Sequence, residues 1–192
     1  MKKFCLLMIL ALSSLLFGQV KDEYKNAKLL KGTYTQIVSQ KGRSFESSGD
    51  FIVASGYGIC WITKLPKESI TVMGEKNVVQ ILPNGKKKIM ADSGNAMFSQ
   101  IANIIKSIFT YDEKAILESF NQSKENNVTV YTPKTEELKK IIEKIEVGFA
   151  KEGYIEKIKM YSSNNSTTEY IMKVLYKSNT LTSEEIKYFE EE

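Results

Sequence analysis

Hydrophobic positions along this chain follow two periods. Between Gly32 and Ser93 four runs, "GTYTQIVSQ", "GDFIVASGYGICWITKL", "SITVMGEKNVVQIL" and "KKKIMADS", are rich in β-branched and aromatic residues. Turn signals separate them: Lys41-Gly42-Arg43, Leu65-Pro66-Lys67, Gly74-Glu75-Lys76-Asn77 and Pro83-Asn84-Gly85. Strand runs joined by such short connections pair antiparallel, and Asn84-Gly85 is the strongest hairpin signal. The period then changes. "NAMFSQIANIIKSIF" carries Met97, Ile101, Ile104, Ile105 and Ile108 at three- and four-residue spacing, with Phe98 and Phe109 beside them, which predicts a helix with a broad apolar face. Asp112 is placed to cap a second helix, "EKAILESF", whose apolar stripe is Ile116, Leu117 and Phe120. After Asn126-Asn127 the strand pattern resumes in "VTVYTPK", "IEKIEVGFA", "YIEKIKMYSS" and "TEYIMKVLYKSN", with a helical turn expected at "TEELKK". Ahead of the first strand, "VKDEYKNAKLLKG" predicts a short helix with Val20, Tyr24, Ala27 and Leu30 on one face, ended by Gly32.

The predicted order is therefore helix, antiparallel strands, two helices, more antiparallel strands: one α+β domain. An antiparallel sheet of about eight or more strands tends to curl, and helices supplied in mid-chain cover one of its faces. Between those layers lies either a filled core or a pocket.

The first 18 residues stand apart. "MKKFCLLMILALSSLLFG" has a basic start, a short apolar centre and a small residue at its end, the plan of a cleavable secretory signal peptide. Its uninterrupted apolar run is shorter than the ~20 residues that span a bilayer. The expected division is residues 1–18 as signal peptide and 19–192 as the domain, which is exported. Cys5 lies too early to be a lipid-modified N-terminal cysteine after cleavage. Lys2 and Lys3 belong to this leader, and without them 25 basic residues face 23 acidic ones, so charge calls for no nucleic-acid partner. Arginine, the preferred reader of bases and phosphates, occurs once, at Arg43.

Chemistry is scarce. No histidine occurs anywhere, which excludes Cys/His zinc sites, Ser-His-Asp triads and Cys-His dyads. Cys60 is the one cysteine outside the leader, so no disulfide forms within the mature chain. It lacks a neighbour to lower its pKa and reads as a small apolar filler. Cys60 and Trp61 are adjacent on a strand and face opposite sides. Tyr57, Ile59, Trp61 and Thr63, the more aromatic set, are assigned to the covered face; Cys60, Ile62 and Lys64 share the other. Carboxylate pairs such as Glu136/Glu137 and Glu184/Glu185 sit among lysines on solvated faces, and nothing marks two of them as aimed at one cleft. Neither an enzyme, a cofactor nor a metal site is expected. Lys86, Lys87 and Lys88 follow the Asn84-Gly85 turn, either as a solvated hairpin tip or as a contact for anionic lipid head groups or an acidic partner.

Strand by strand, the chain resembles the periplasmic outer-membrane lipoprotein carriers, the LolA-like family. "GTYTQ" (Gly32, Tyr34, Gln36) is similar to the family's opening strand, "SSGDFIV" to the next, and Trp61 followed by Pro66 to its aromatic-x-Trp … Pro segment, with Ile59 in the aromatic place. "YTPK" (Tyr131 to Lys134) resembles its hydrophobic-x-Pro-Lys strand, and "SNTLTSEEIKYF" its Asn … Phe ending. The resemblance implies a curved antiparallel β-sheet, a half-barrel, with helices covering its concave apolar face. It implies a monomeric carrier of lipoprotein acyl chains, moving between an inner-membrane release complex and an outer-membrane acceptor. On this reading the cavity wall is Tyr34, Phe51, Val53, Ile59, Trp61 and Val72. The lid is Met97, Phe98, Ile101, Ile104, Ile105, Ile108, Leu117 and Phe120. Two alternatives remain open: an exported lipid- or glycolipid-binding protein using the same cavity, or a relative of the outer-membrane acceptor. In one place the chain departs from the family. A basic residue often stands near the start of the Trp-containing strand, where it favours the closed lid; here "VASGYGICW" offers Ser55, Gly56 and Gly58.

Overall fold

The computed structural model describes the backbone of residues 21–74, 77–91, 96–126 and 128–190, and the side chains of these except 91 and 96–100. The expected signal peptide lies outside the described residues. Among the described residues the chain forms a single eleven-stranded antiparallel sheet, open at both edges. From its middle, β1 (Leu29–Gln40) leads outward through β2 (Arg43–Ala54), β3 (Gly58–Leu65), β4 (Ser69–Met73), β5 (Val78–Ile81) and β6 (Lys87–Ala91), each paired with the one before. The chain then leaves the sheet in two helices, α2 (Ala96–Phe109) and α3 (Glu113–Ser119), and re-enters it at the opposite edge. From there β7 (Phe120–Glu125), β8 (Val128–Pro133), β9 (Ile142–Phe149), β10 (Ile155–Ser162) and β11 (Thr167–Ser178) run back to the middle, where β11 pairs with β1. Every neighbouring pair except β1–β11 is a local connection, as the short turn signals require.

Alternation along the strands creates two unlike faces. One carries Tyr34, Phe51, Val53, Ile59, Trp61, Ile145, Val147, Ile158 and Met172, which share a buried cluster with Ile104, Ile108 and Phe109 of α2 and Ile116 of α3. Because residues from both halves of the sheet join the same helices, this face is the concave one. The sheet is thus the curved half-barrel that the resemblance implies. The other face is divided. In the β9–β11 half it is a charged lattice open to solvent, with Lys157 on Glu169 at 2.6 Å, Lys159 on Glu169 at 3.5 Å and Lys144 on Glu146 at 2.7 Å. In the β1–β5 half it is apolar, and α5 (Ser183–Lys187) with the following Phe189 covers Leu29, Ile52, Ala54, Cys60 and Val72.

Two local expectations are corrected, and two elements were not expected at all. The helix expected up to Gly32 is only one turn, α1 (Asp22–Lys25). Leu29 and Leu30 are instead buried on opposite faces of β1, a strand bonded on both sides, and that pairing outweighs the helical spacing. Phe120 ends α3 but begins β7, so it belongs to the sheet rather than the lid. "FNQSKE" has too few apolar residues to show as a strand, and α5 at "SEEIK" is absent from the predicted order although a capping box marks its start. The expected turn at "TEELKK" is present as α4 (Glu136–Lys139), capped by Thr135.

Candidate functional site

Trp61 is the centre of the concave face. β3 brings it opposite Phe51 of β2, and β1 and β11 bring Tyr34 and Tyr170 to its sides. Its ring lies 4.7 Å from that of Tyr34, 5.1 Å from Tyr170 in a stack, 6.1 Å from Phe51 and 5.1 Å edge-on to Phe109. Phe109, the last residue of α2, therefore places the helix pair directly on the indole. Such ring pairs are each worth ~0.5–1.5 kcal/mol beyond their buried area.

The polar side chains around Trp61 satisfy one another and carry no charge. The Tyr34 hydroxyl bonds Thr63 Oγ1 at 2.7 Å, Gln36 Nε2 donates to the Tyr170 hydroxyl at 2.7 Å, and Ser47 Oγ donates to Gln36 Oε1 at 3.1 Å. Burial pushes the Tyr170 phenol up to about 12 and raises that of Tyr34, so both stay neutral at physiological pH. A wall of this kind can hold hydrocarbon.

The helix pair is tied to the far half of the sheet by Tyr111. This residue, at a φ of 58°, sits between α2 and α3 and is 6% exposed. Its hydroxyl accepts from the backbone N–H of Ile155 at 3.3 Å, where β10 begins with an irregular register. Burial pushes this phenol up to about 12 as well. Asp112 caps α3 by accepting from Ala115 N at 3.1 Å, and Lys134 reaches the Leu117 carbonyl. No cation occupies the Ser55–Tyr57 turn, and sequence reasoning missed Tyr111 as a tie; a lone tyrosine before a capping aspartate carries no pattern that marks it.

Of the residues expected to line a cavity, Tyr34, Phe51, Val53, Ile59 and Trp61 converge on the concave face with Ile104 and Ile108, and Ile101 and Ile105 pack half-buried against them. Val72 does not join them. β4 sets Val72 opposite Cys60, so it lies on the other face, under Phe189. Leu117 is half-buried and outside the cluster, its place taken by Ile116. Phe120 is fully buried, from β7. Met97 and Phe98 fall within α2, but their side chains lie outside the described residues. Tyr57 sits in the β2–β3 turn, with its ring 5.9 Å from Phe189 on the convex side, not on the covered face as the strand reading placed it. Reasoning from sequence also missed Tyr131, Tyr170 and Ile145, whose strands are too mixed in polarity to show which face is buried.

Cys60 is fully buried against Val72 and Phe189, and burial pushes its thiol up to about 12. Among the described residues no three Asp, Glu or Cys side chains gather as metal ligands, and no helix is long and apolar enough to cross a membrane.

The family model described as outer membrane lipoprotein carrier protein LolA matches residues 25–188. The chain belongs to the LolA family. No curated protein matches this family member significantly. Among solved structures, a DUF1329 family protein from Desulfovibrio piger has 10% identity and a TM-score of 0.48, with 90% of this chain and 92% of that one covered. A protein described as an outer membrane lipoprotein-sorting protein domain, from Vibrio parahaemolyticus, has 12% identity and a TM-score of 0.44, covering 87% and 91%. A LolA superfamily protein from Nitrosomonas europaea has 6% identity and a TM-score of 0.43, covering 88% and 92%.

Proposed function

We propose that this LolA family member is a periplasmic carrier that shields the acyl chains of lipoproteins between its concave sheet face and the α2–α3 pair. It would take them from an inner-membrane release complex to an outer-membrane acceptor. The observation that carries the reading is the seating of Phe109 on Trp61: the inner wall is uncharged and aromatic, and its cover is a separate helical layer. Burial of a methylene is worth ~0.8 kcal/mol, so one long acyl chain contributes on the order of 10 kcal/mol. Displacing the helices from the wall offsets part of this, and the apparent affinity falls with the fraction of open protein. That offset is what lets a carrier release what it holds.

Trp61 supplies the test. Titration with a triacylated lipopeptide changes the Trp61 emission as Phe109 is displaced, and mass spectrometry of protein isolated from its native envelope finds triacylated lipoproteins bound. Unchanged emission on saturating lipopeptide removes the carrier reading. Recovery of free phospholipid or glycolipid alone assigns the same wall to a lipid-binding protein instead.

A further inference from the structure

The convex face carries a second apolar depression that the carrier reading does not use. α5 is five residues long and, with Phe189, covers the part of that face built by β1–β3 and Val72 of β4. Beyond it the registers Ile62↔Ile70 and Ile70↔Ile81 align isoleucines across β3, β4 and β5, and both Ile70 and Ile81 stay half-buried. The result is a groove of about 710 Å³, within the usual range for ligand sites, floored by Ile52, Ile70 and Ile81. One wall is α5, with Glu184, Glu185, Lys187 and Tyr188; the other is the β5–β6 hairpin, with Gly85 and Lys87.

Glu185 is engaged by Lys31 across the groove end, while Lys87 of the hairpin and Lys187, beside Glu184, of α5 face the groove from opposite walls. The hairpin is held by a turn in which Lys86 N donates to Asn84 Oδ1 at 3.0 Å. Lys87 stands opposite Ile81 on the groove face, and Ile89, two residues on along the same side, is 61% exposed. An apolar floor that ends at a cationic lip matches a molecule with a hydrocarbon tail and an anionic head. A peptide is the poorer fit, because the backbones of β3, β4 and β5 beneath the floor are already paired on both sides. We propose that this convex groove binds an anionic phospholipid of a membrane surface, the acyl part on Ile70 and Ile81 and the phosphate at Lys87 and Lys187.

Flotation of the full mature chain with vesicles tests this. The chain rises with phosphatidylglycerol–phosphatidylcholine vesicles and not with phosphatidylcholine alone. The double variant Lys87→Gln/Lys187→Gln lowers that binding by roughly 25-fold, about fivefold for each lysine near an anionic surface, with the melting temperature checked in parallel. To read the groove separately from the concave face, Tyr188→Trp is placed in a Trp61→Phe background, and brominated acyl phosphatidylglycerol quenches the new indole. Equal flotation on both vesicle types, lysine variants that bind as the parent does, or an unquenched indole at position 188 each overturns the proposal. Quenching of Trp61 in the parent chain with none at position 188 places the lipid on the concave face alone and overturns it too. Competition by an acidic peptide that leaves vesicle binding at baseline assigns the groove to a protein partner.

Discussion

Cys60 and Trp61 are neighbours in sequence and belong to different worlds in the fold. The peptide between them lies in the sheet and successive side chains point to opposite faces, so one meets the α5 cap and the other the aromatic cluster. With its thiol raised to about 12 and its surface closed off, Cys60 resists maleimide in the native protein at neutral pH and reacts on unfolding; rapid labelling of the folded chain would refute the assignment. Tyr111→Phe keeps the ring but leaves the Ile155 amide without an acceptor, which costs about 1–3 kcal/mol in denaturant titration. In hydrogen exchange the same variant exposes Ile155 and the α2–α3 amides ahead of β1 and β2. Gln122 presents the opposite case. Among the described residues its Nε2 is the buried side-chain nitrogen without a partner, so Gln122→Leu raises stability by roughly 1 kcal/mol. An unchanged or lower melting temperature would show that this nitrogen is hydrated.

At the scale of elements, legibility followed polarity. The helix α2 and the strands β2 and β3 could be read because their apolar residues recur at one period. β7, "FNQSKE", could not, because it is an edge strand with Phe120 as its sole large apolar residue. α5 was missed although its signal was present: Thr182 and Glu185 form a reciprocal capping box, the pattern that marks a helix start. The placement of Val72 needed the register of β4 against β3, which a one-residue slip reverses and which no local pattern records. The importance of α5 can be measured through the residue it covers. Phe189→Ala costs about 3–5 kcal/mol and makes Cys60 accessible to maleimide; a stable variant with a protected thiol would show that α5 is not its cap. Lys31 bonds Glu185 and holds its carboxyl below the usual carboxylate range. A folded-state pKa below the unfolded one gives stability that is present above the unfolded value and lost as pH falls through the folded one. The α5 cap therefore loosens in acid, below about pH 4.5, and Lys31→Met abolishes that part of the pH dependence in Cys60 labelling.

At the scale of the molecule, a curling antiparallel sheet with a mid-chain cover followed from element order and the half-barrel from the family resemblance, while the joint between the two halves followed from neither. That joint is the β1–β11 ladder, and Gly32 sits at its bulge. A Cβ there would lie 2.0 Å from the Lys173 carbonyl oxygen and 2.8 Å from the Phe51 ring, so Gly32→Ala forces β1 and β11 apart. The expected outcome is loss of several kcal/mol, about the largest class of single-residue effect; a variant melting like the parent would show that the bulge can absorb a methyl group.

The path of the chain from β6 to β7 has one more consequence. α2 and α3 are fastened at both ends, to the two edge strands β6 and β7 of one continuous sheet, and together with it they close a ring. A door on a single hinge can swing clear of what lies behind it; a strap buckled on both sides can only slacken. Whatever lodges beneath must thread in and out lengthwise, through the two open ends, unless strands part.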